Sequence, residues 1–204
     1  INYVNTKQKS PTSGASAFND YYSGGGGSIY SRLFYLPRNF DLNGLPWENP
    51  ADGSNIFYRA LDNPIWIANN NFYESDVNRV YGNISAAYDI SDGINLLVKG
   101  GFNTYHDARR NNVRSGGISN PDGFVNTVDL NNTEKDFTAL LSVDKDLTSA
   151  INFKGTFGFN ANERKTTYRE VTGNQIISTG LNLTGATATQ IVDADVSRKR
   201  RIYG

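Results

Sequence analysis

The chain has 204 residues, 38% hydrophobic and 20% charged, and its 20 acidic and 20 basic side chains cancel, a length for one large domain or two small ones. No Cys and a single His, His106, exclude disulfides, thiolate zinc sites, iron–sulfur clusters and thiol nucleophiles, and leave little room for a His-rich metal site or a His-based triad. The longest apolar runs, 33–36 and 65–68, are four residues, against the ~20 that a helical membrane span needs, and zero net charge removes bulk attraction to nucleic acid. The 20 Gly, 12 Tyr, 11 Phe and 26 Asn describe instead a β-rich protein with large polar loops.

In chain order, Ile1 to Asn5 already reads as extended, and a strand is expected over about 1–9. Residues 10–76 form a long Gly-, Asn-, Tyr- and Pro-rich segment that includes Gly24 to Gly27. From 77 to 90 the even positions Val80, Gly82, Ile84, Ala86, Tyr88 and Ile90 are apolar or small while the odd ones are mostly polar, the period-two signature of a strand. After Ser91-Asp92-Gly93 the alternation resumes over 94–106 with Ile94, Leu96, Val98, Gly100 and Phe102. Pairing Ile90 with Ile94 places every even residue opposite another even one, as residues sharing a sheet face must be. Gly93 falls where a three-residue hairpin requires a left-handed residue.

A second hairpin follows the long segment 107–133, with strands over 135–145 and 151–166. Phe137, Ala139, Leu141 and Val143 share one face with Ile151, Phe153, Gly155, Phe157 and Phe159, across a short connection at 146–150. A third long segment, 167–196, leads to a last strand over 197–204 that has only started. Both ends therefore read as cut from something longer. Long strands with one apolar and one polar face, joined by strictly alternating long and short connections, match a transmembrane β-barrel of the bacterial outer membrane, with short turns in the periplasm and long loops outside. A soluble extracellular β-sandwich, serving as a glycan-binding module, alternates as well and is the competing architecture.

Several segments together resemble the SusC/RagA family of TonB-dependent transporters of Bacteroidetes outer membranes. They are Asn2-Tyr3-Val4-Asn5-Thr6-Lys7-Gln8, Leu36-Pro37-Arg38-Asn39-Phe40-Asp41, Asn63-Pro64-Ile65-Trp66-Ile67-Ala68-Asn69-Asn70-Asn71, Arg79 to Ser85 leading into Tyr88-Asp89-Ile90, and the closing Arg201-Ile202-Tyr203-Gly204. Ile65 departs from the pattern, which has an aromatic there. The resemblance implies an all-β fold: an antiparallel segment of a 22-stranded barrel whose plug and TonB-contacting box are absent from this chain. It further implies a nutrient importer of glycans or peptides, not an enzyme, with no cofactor. A SusD-like surface lipoprotein would form its lid, and TonB would act through the missing N-terminal part.

Other motifs have plainer readings. Asp52, Asp62, Glu74 and Asp76 invite comparison with a glycosidase pair, but nothing in the sequence fixes their separation. Residues 49–55 and 120–123 offer oxygen ligands for Ca²⁺, without the ordered acidic spacing of a calcium loop; both are ordinary turn chemistry. Gly24 to Gly27 lacks the Lys-Ser/Thr of a phosphate loop and reads as a tether. Arg198-Lys199-Arg200-Arg201 at the start of a barrel strand reads as a rim cluster that snorkels or meets lipopolysaccharide phosphates; Asp107 to Arg110 and His106 are read as rim residues too. The aromatics of the first long segment, Tyr21, Tyr22, Tyr30, Phe34, Tyr35, Trp47 and Trp66 among them, are candidate contacts to the lid or to the transported ligand, or they pack the loop against its own barrel.

Overall fold

In the computed structural model, residues 1–11, 29–34, 36–57, 62–118, 120–178 and 184–204 are described. They form an all-β structure with one six-stranded antiparallel sheet in which every strand neighbours the next in sequence: β1 (Asn2–Ser10), β2 (Phe72–Ser91), β3 (Ile94–Val113), β4 (Phe124–Thr148), β5 (Ile151–Ile176) and β6 (Thr187–Tyr203). Two short helices, α1 (Ile29–Phe34) and α2 (Pro64–Asn70), lie between β1 and β2. No described helix is long and apolar enough to cross a membrane.

The register expected for β2 and β3 holds along the pair, from Phe72 opposite Asn112 to Asp89 opposite Asn95; only at the turn does it slip, where Ser91 rather than Ile90 meets Ile94. Gly93 has φ of 71° there, and a Cβ on it would stand 1.9 Å from the Asp144 carbonyl oxygen. The turn between β4 and β5 repeats the design, with a bulge between Asp146 and Thr148. Both short connections, expected at 91–93 and 146–150, are thus two-residue turns at 92–93 and 149–150, each with an irregularity next to it that adds twist where the chain reverses.

The strands outrun the sequence reading. The segments 107–133 and 167–196, expected as loops, are mostly strand, and the true connections are 114–123 and 177–186. The reason is chemical: Asp107-Ala108-Arg109-Arg110-Asn111-Asn112 is polar on both sheet faces, so no period-two contrast marks it, and Asn and Asp weigh toward turns. In β4 the apolar parity also inverts, from odd residues over 137–143 to the even Phe124, Val128 and Leu130.

The register sorts the side chains into two faces. One carries Val80, Ile84, Ala86 and Tyr88 of β2, Leu96, Val98 and Phe102 of β3, Phe137, Ala139 and Leu141 of β4, Phe157, Phe159 and Ala161 of β5 and Ile202 of β6. This is a continuous apolar belt, and nothing described packs on it: Ile84 is 76% exposed and Phe157 61%. The opposite face is mostly polar, apart from the Ala87, Leu97 and Leu140 row, and is laced across the strands, with Asn152 donating to Asp144 and Asp146, Asn160 to Asp136 and Thr138, Arg164 to Glu134, and Arg79 to Asn103. The buried apolar residues Trp66, Ile67, Val113 and Val125 lie elsewhere, where the long connections meet the sheet.

Candidate functional site

At that end α2 is fixed by its own sequence. The Asn63 carboxamide oxygen caps it by accepting from the Ile65 N–H at 2.9 Å, and Pro64 occupies the first turn, where its missing N–H costs nothing. The helix turns Trp66 and Ile67 inward, each 1% exposed. The Trp66 indole N–H donates to the Gly53 carbonyl at 3.0 Å, and a Cβ on Gly117 would lie 3.3 Å from its ring. Asp62, also buried, accepts from the Ile118 N–H at 2.6 Å. The Asn55 N–H reaches the Gly116 carbonyl, and the Arg114 N–H reaches the Asn71 side chain. Segments far apart in sequence, 47–56, 62–71, 114–118 and 120–123, are thus clamped into one cap on the strand ends.

The outer side of this cap holds a groove of about 730 Å³. Trp47 stands half-buried in it beside Leu45 and Pro46, with Asn43 and Asp52 at the polar margin. One wall is the ion pair of Glu48 with Arg114 at 2.9 Å; the same guanidinium also holds the Asn70 side-chain oxygen. The Ser54 hydroxyl and its backbone N–H keep the Asp52 carboxyl below its ordinary value. An aromatic surface flanked by aliphatic side chains and bordered by amide, carboxylate and guanidinium groups matches ligands with both apolar and hydrogen-bonding faces.

Against this geometry the expected contact residues separate. Trp47 lines the groove and Phe34, on α1, is 76% exposed. Trp66 is no surface anchor: it is a packing residue of the cap, its one polar atom already satisfied. Tyr21, Tyr22, Tyr35, the side chain of Tyr30 and Gly24 to Gly27 lie outside the described residues. The four acids of the glycosidase comparison are each committed elsewhere, Asp52 to Ser54, Asp62 to Ile118, Glu74 to Lys9 and Asp76 to Lys7. The 49–55 and 120–123 segments form Asx and backbone turns, and no cluster of three or more His, Cys, Asp or Glu is placed to hold a metal among the described residues. Glu48, Asn70 and Arg114 escaped the sequence reading because their partnership spans 66 positions and has no local pattern.

No protein-family model and no curated protein matches this chain.

Proposed function

We propose that this chain forms part of the wall of an outer-membrane transporter of the SusC/RagA type, one that imports glycans or peptides with energy from TonB beneath a SusD-like lipoprotein lid. The observation that carries the reading is the uncovered apolar belt. Along β5 it runs from Ile151 to Ala161, a contour of ~33 Å at ~3.3 Å per residue, and a strand tilt of ~40° makes this ~25 Å of height, the hydrocarbon band of outer-membrane barrels. Aromatic residues sit at both margins, Tyr3, Phe102 and Phe137 at one and Tyr88 and Phe153 at the other, as in the girdles of such barrels. The sandwich alternative needs a second sheet to cover this face, and the described strands all belong to one sheet. On this reading β1 and β6 pair with further strands, since an open edge cannot persist in lipid. The hydrogen-bonded polar face lines the lumen, and the groove at Trp47 opens toward lid and ligand. The protein works by binding and transport, not by bond chemistry.

The test is fractionation of cells expressing the whole gene product, with uptake of oligosaccharides and peptides compared with and without it. Outer-membrane recovery, migration that shifts on heating, and uptake that depends on the gene are expected; a protein recovered folded in the soluble fraction overturns the reading.

A further inference from the structure

The belt has an unequal border. The run Arg198-Lys199-Arg200-Arg201 does not form one patch, because β6 alternates: Arg200 and Arg198 pair with Glu163 and Lys165 on the belt face, Lys199 with Arg164 on the polar face. On the belt face, the row immediately beyond Phe137, Ala161 and Ile202 is Lys135, Glu163 and Arg200, and the next is Thr133, Lys165 and Arg198. Glu163 is held by Arg200 at 2.6 Å and Arg198 at 3.6 Å. Four cations thus surround one carboxylate directly against the apolar margin, three positive charges in excess. Arg200 and Arg198 remain 63% and 49% exposed, and Lys135 and Lys165 are exposed too. Neighbouring strands stand ~4.8 Å apart and alternate residues ~6.6 Å along a strand, so the four side chains rise from a patch of about 10 Å by 7 Å, within reach of one or two phosphate groups.

The β1 to β3 side of the same border is different. There the row beyond Tyr3, Val80 and Thr104 is Asn5, Asn78 and His106, and farther out Lys7 meets Asp76 while Lys9 and Arg110 flank Glu74, which leaves no comparable excess. The charge of the β4 to β6 side is therefore specific to that sector, and it lies toward the long connections.

We propose that this sector is a binding site for the phosphate-bearing headgroup of an acylated lipid of the outer leaflet. The phosphates are seated among Lys135, Lys165, Arg198 and Arg200, and the acyl chains run down over Phe137, Phe159 and Phe157. Cations at the headgroup level with aromatic and aliphatic surface beneath are the two halves of an anionic amphiphile's complement, and Glu163 orients the two guanidiniums. The inference rests on the membrane reading above. Its test uses the full-length protein in detergent, titrated with diphosphorylated lipid A, with the dephosphorylated lipid and with inorganic phosphate, and read as the rise in unfolding temperature. The K135Q/K165Q/R198Q/R200Q variant is compared with K7Q/K9Q, which removes two cations from β1, on the same face but outside the sector. Stabilisation by diphosphorylated lipid A alone, with half-saturation at least about tenfold weaker in the quadruple variant and unchanged in K7Q/K9Q, supports the site. Equal responses of the quadruple variant and the parent overturn it, and so does an equal response to inorganic phosphate. Migration that shifts on heating is followed in every sample, so a failure of the lipid site in an intact barrel is told apart from a failure of the membrane reading, which overturns both.

Discussion

Single residues decide whether the cap and the turns form at all. Trp66 fills the space beneath Gly117 and ties its indole to Gly53, so Trp66→Ala removes both packing and a satisfied donor. A loss of about 3 to 5 kcal/mol is expected for such a truncation. Hydrogen exchange should show it as faster exchange in 47–56 and 114–123 with little change in β4 and β5; uniform loss of protection through the sheet would refute the local role. Gly93 is bound by both its conformation and its neighbours, since its φ is positive and any Cβ would enter the Asp144 carbonyl. Even Asn, which tolerates the left-handed region, is excluded on space, so Gly93→Asn and Gly93→Ala should both lower the yield of folded protein, measured by protease-resistant fraction. In the groove, Trp47→Ala is expected to weaken ligand binding in calorimetric titration while leaving the melting temperature nearly unchanged, because Trp47 is only half-buried.

At the scale of a strand, what matters is which face a position takes. Ile84 lies on the belt opposite Gly100, and Ser142 lies on the polar face between Asn95 and Thr156. Ile84→Arg places a charge where the membrane reading puts hydrocarbon and should cost roughly 2 to 4 kcal/mol, whereas Ser142→Arg should be tolerated. Ser85 is a poorer control, because it stands opposite Lys99 and an added cation there meets like charge. Denaturant unfolding of the barrel in lipid vesicles measures the difference; equal losses would refute the assignment of faces.

For the whole molecule the alternation of connections sets a topology. The turns at 92–93 and 149–150 join strands at one end of the sheet, and the connections that follow β1, β3 and β5 leave from the other. In a barrel the short turns face the periplasm and the long connections face outward. Gly185 has nothing within 4 Å of an added Cβ and Ala150 is exposed in its turn, so both accept Cys. Gly185→Cys should react with a membrane-impermeant maleimide on intact cells and Ala150→Cys only after permeabilisation; the reverse order would sink the topology.

The alternation over 77–106 and 135–166 was enough to determine the two hairpins, the register of the first up to its turn, and their apolar face, because a half-covered strand writes its burial into every second residue. The same rule hid the outer halves of the strands. Where both faces are polar, as at 107–112 and 131–134, ladder hydrogen bonds rather than side-chain contrast hold the chain extended, and only the pairing with an already registered neighbour shows it. The cap was illegible for another reason: Trp66 on Gly53, Asp62 on Ile118 and Glu48 on Arg114 join positions that no local pattern connects, so an aromatic that reads as a surface anchor becomes a packing residue. The basic border likewise needed the tertiary structure. The sequence presents a run of four cations at 198–201, but strand pleating sends them to opposite faces, and it is the pairing with β5 and β4 that brings Lys165 and Lys135 to Arg198 and Arg200.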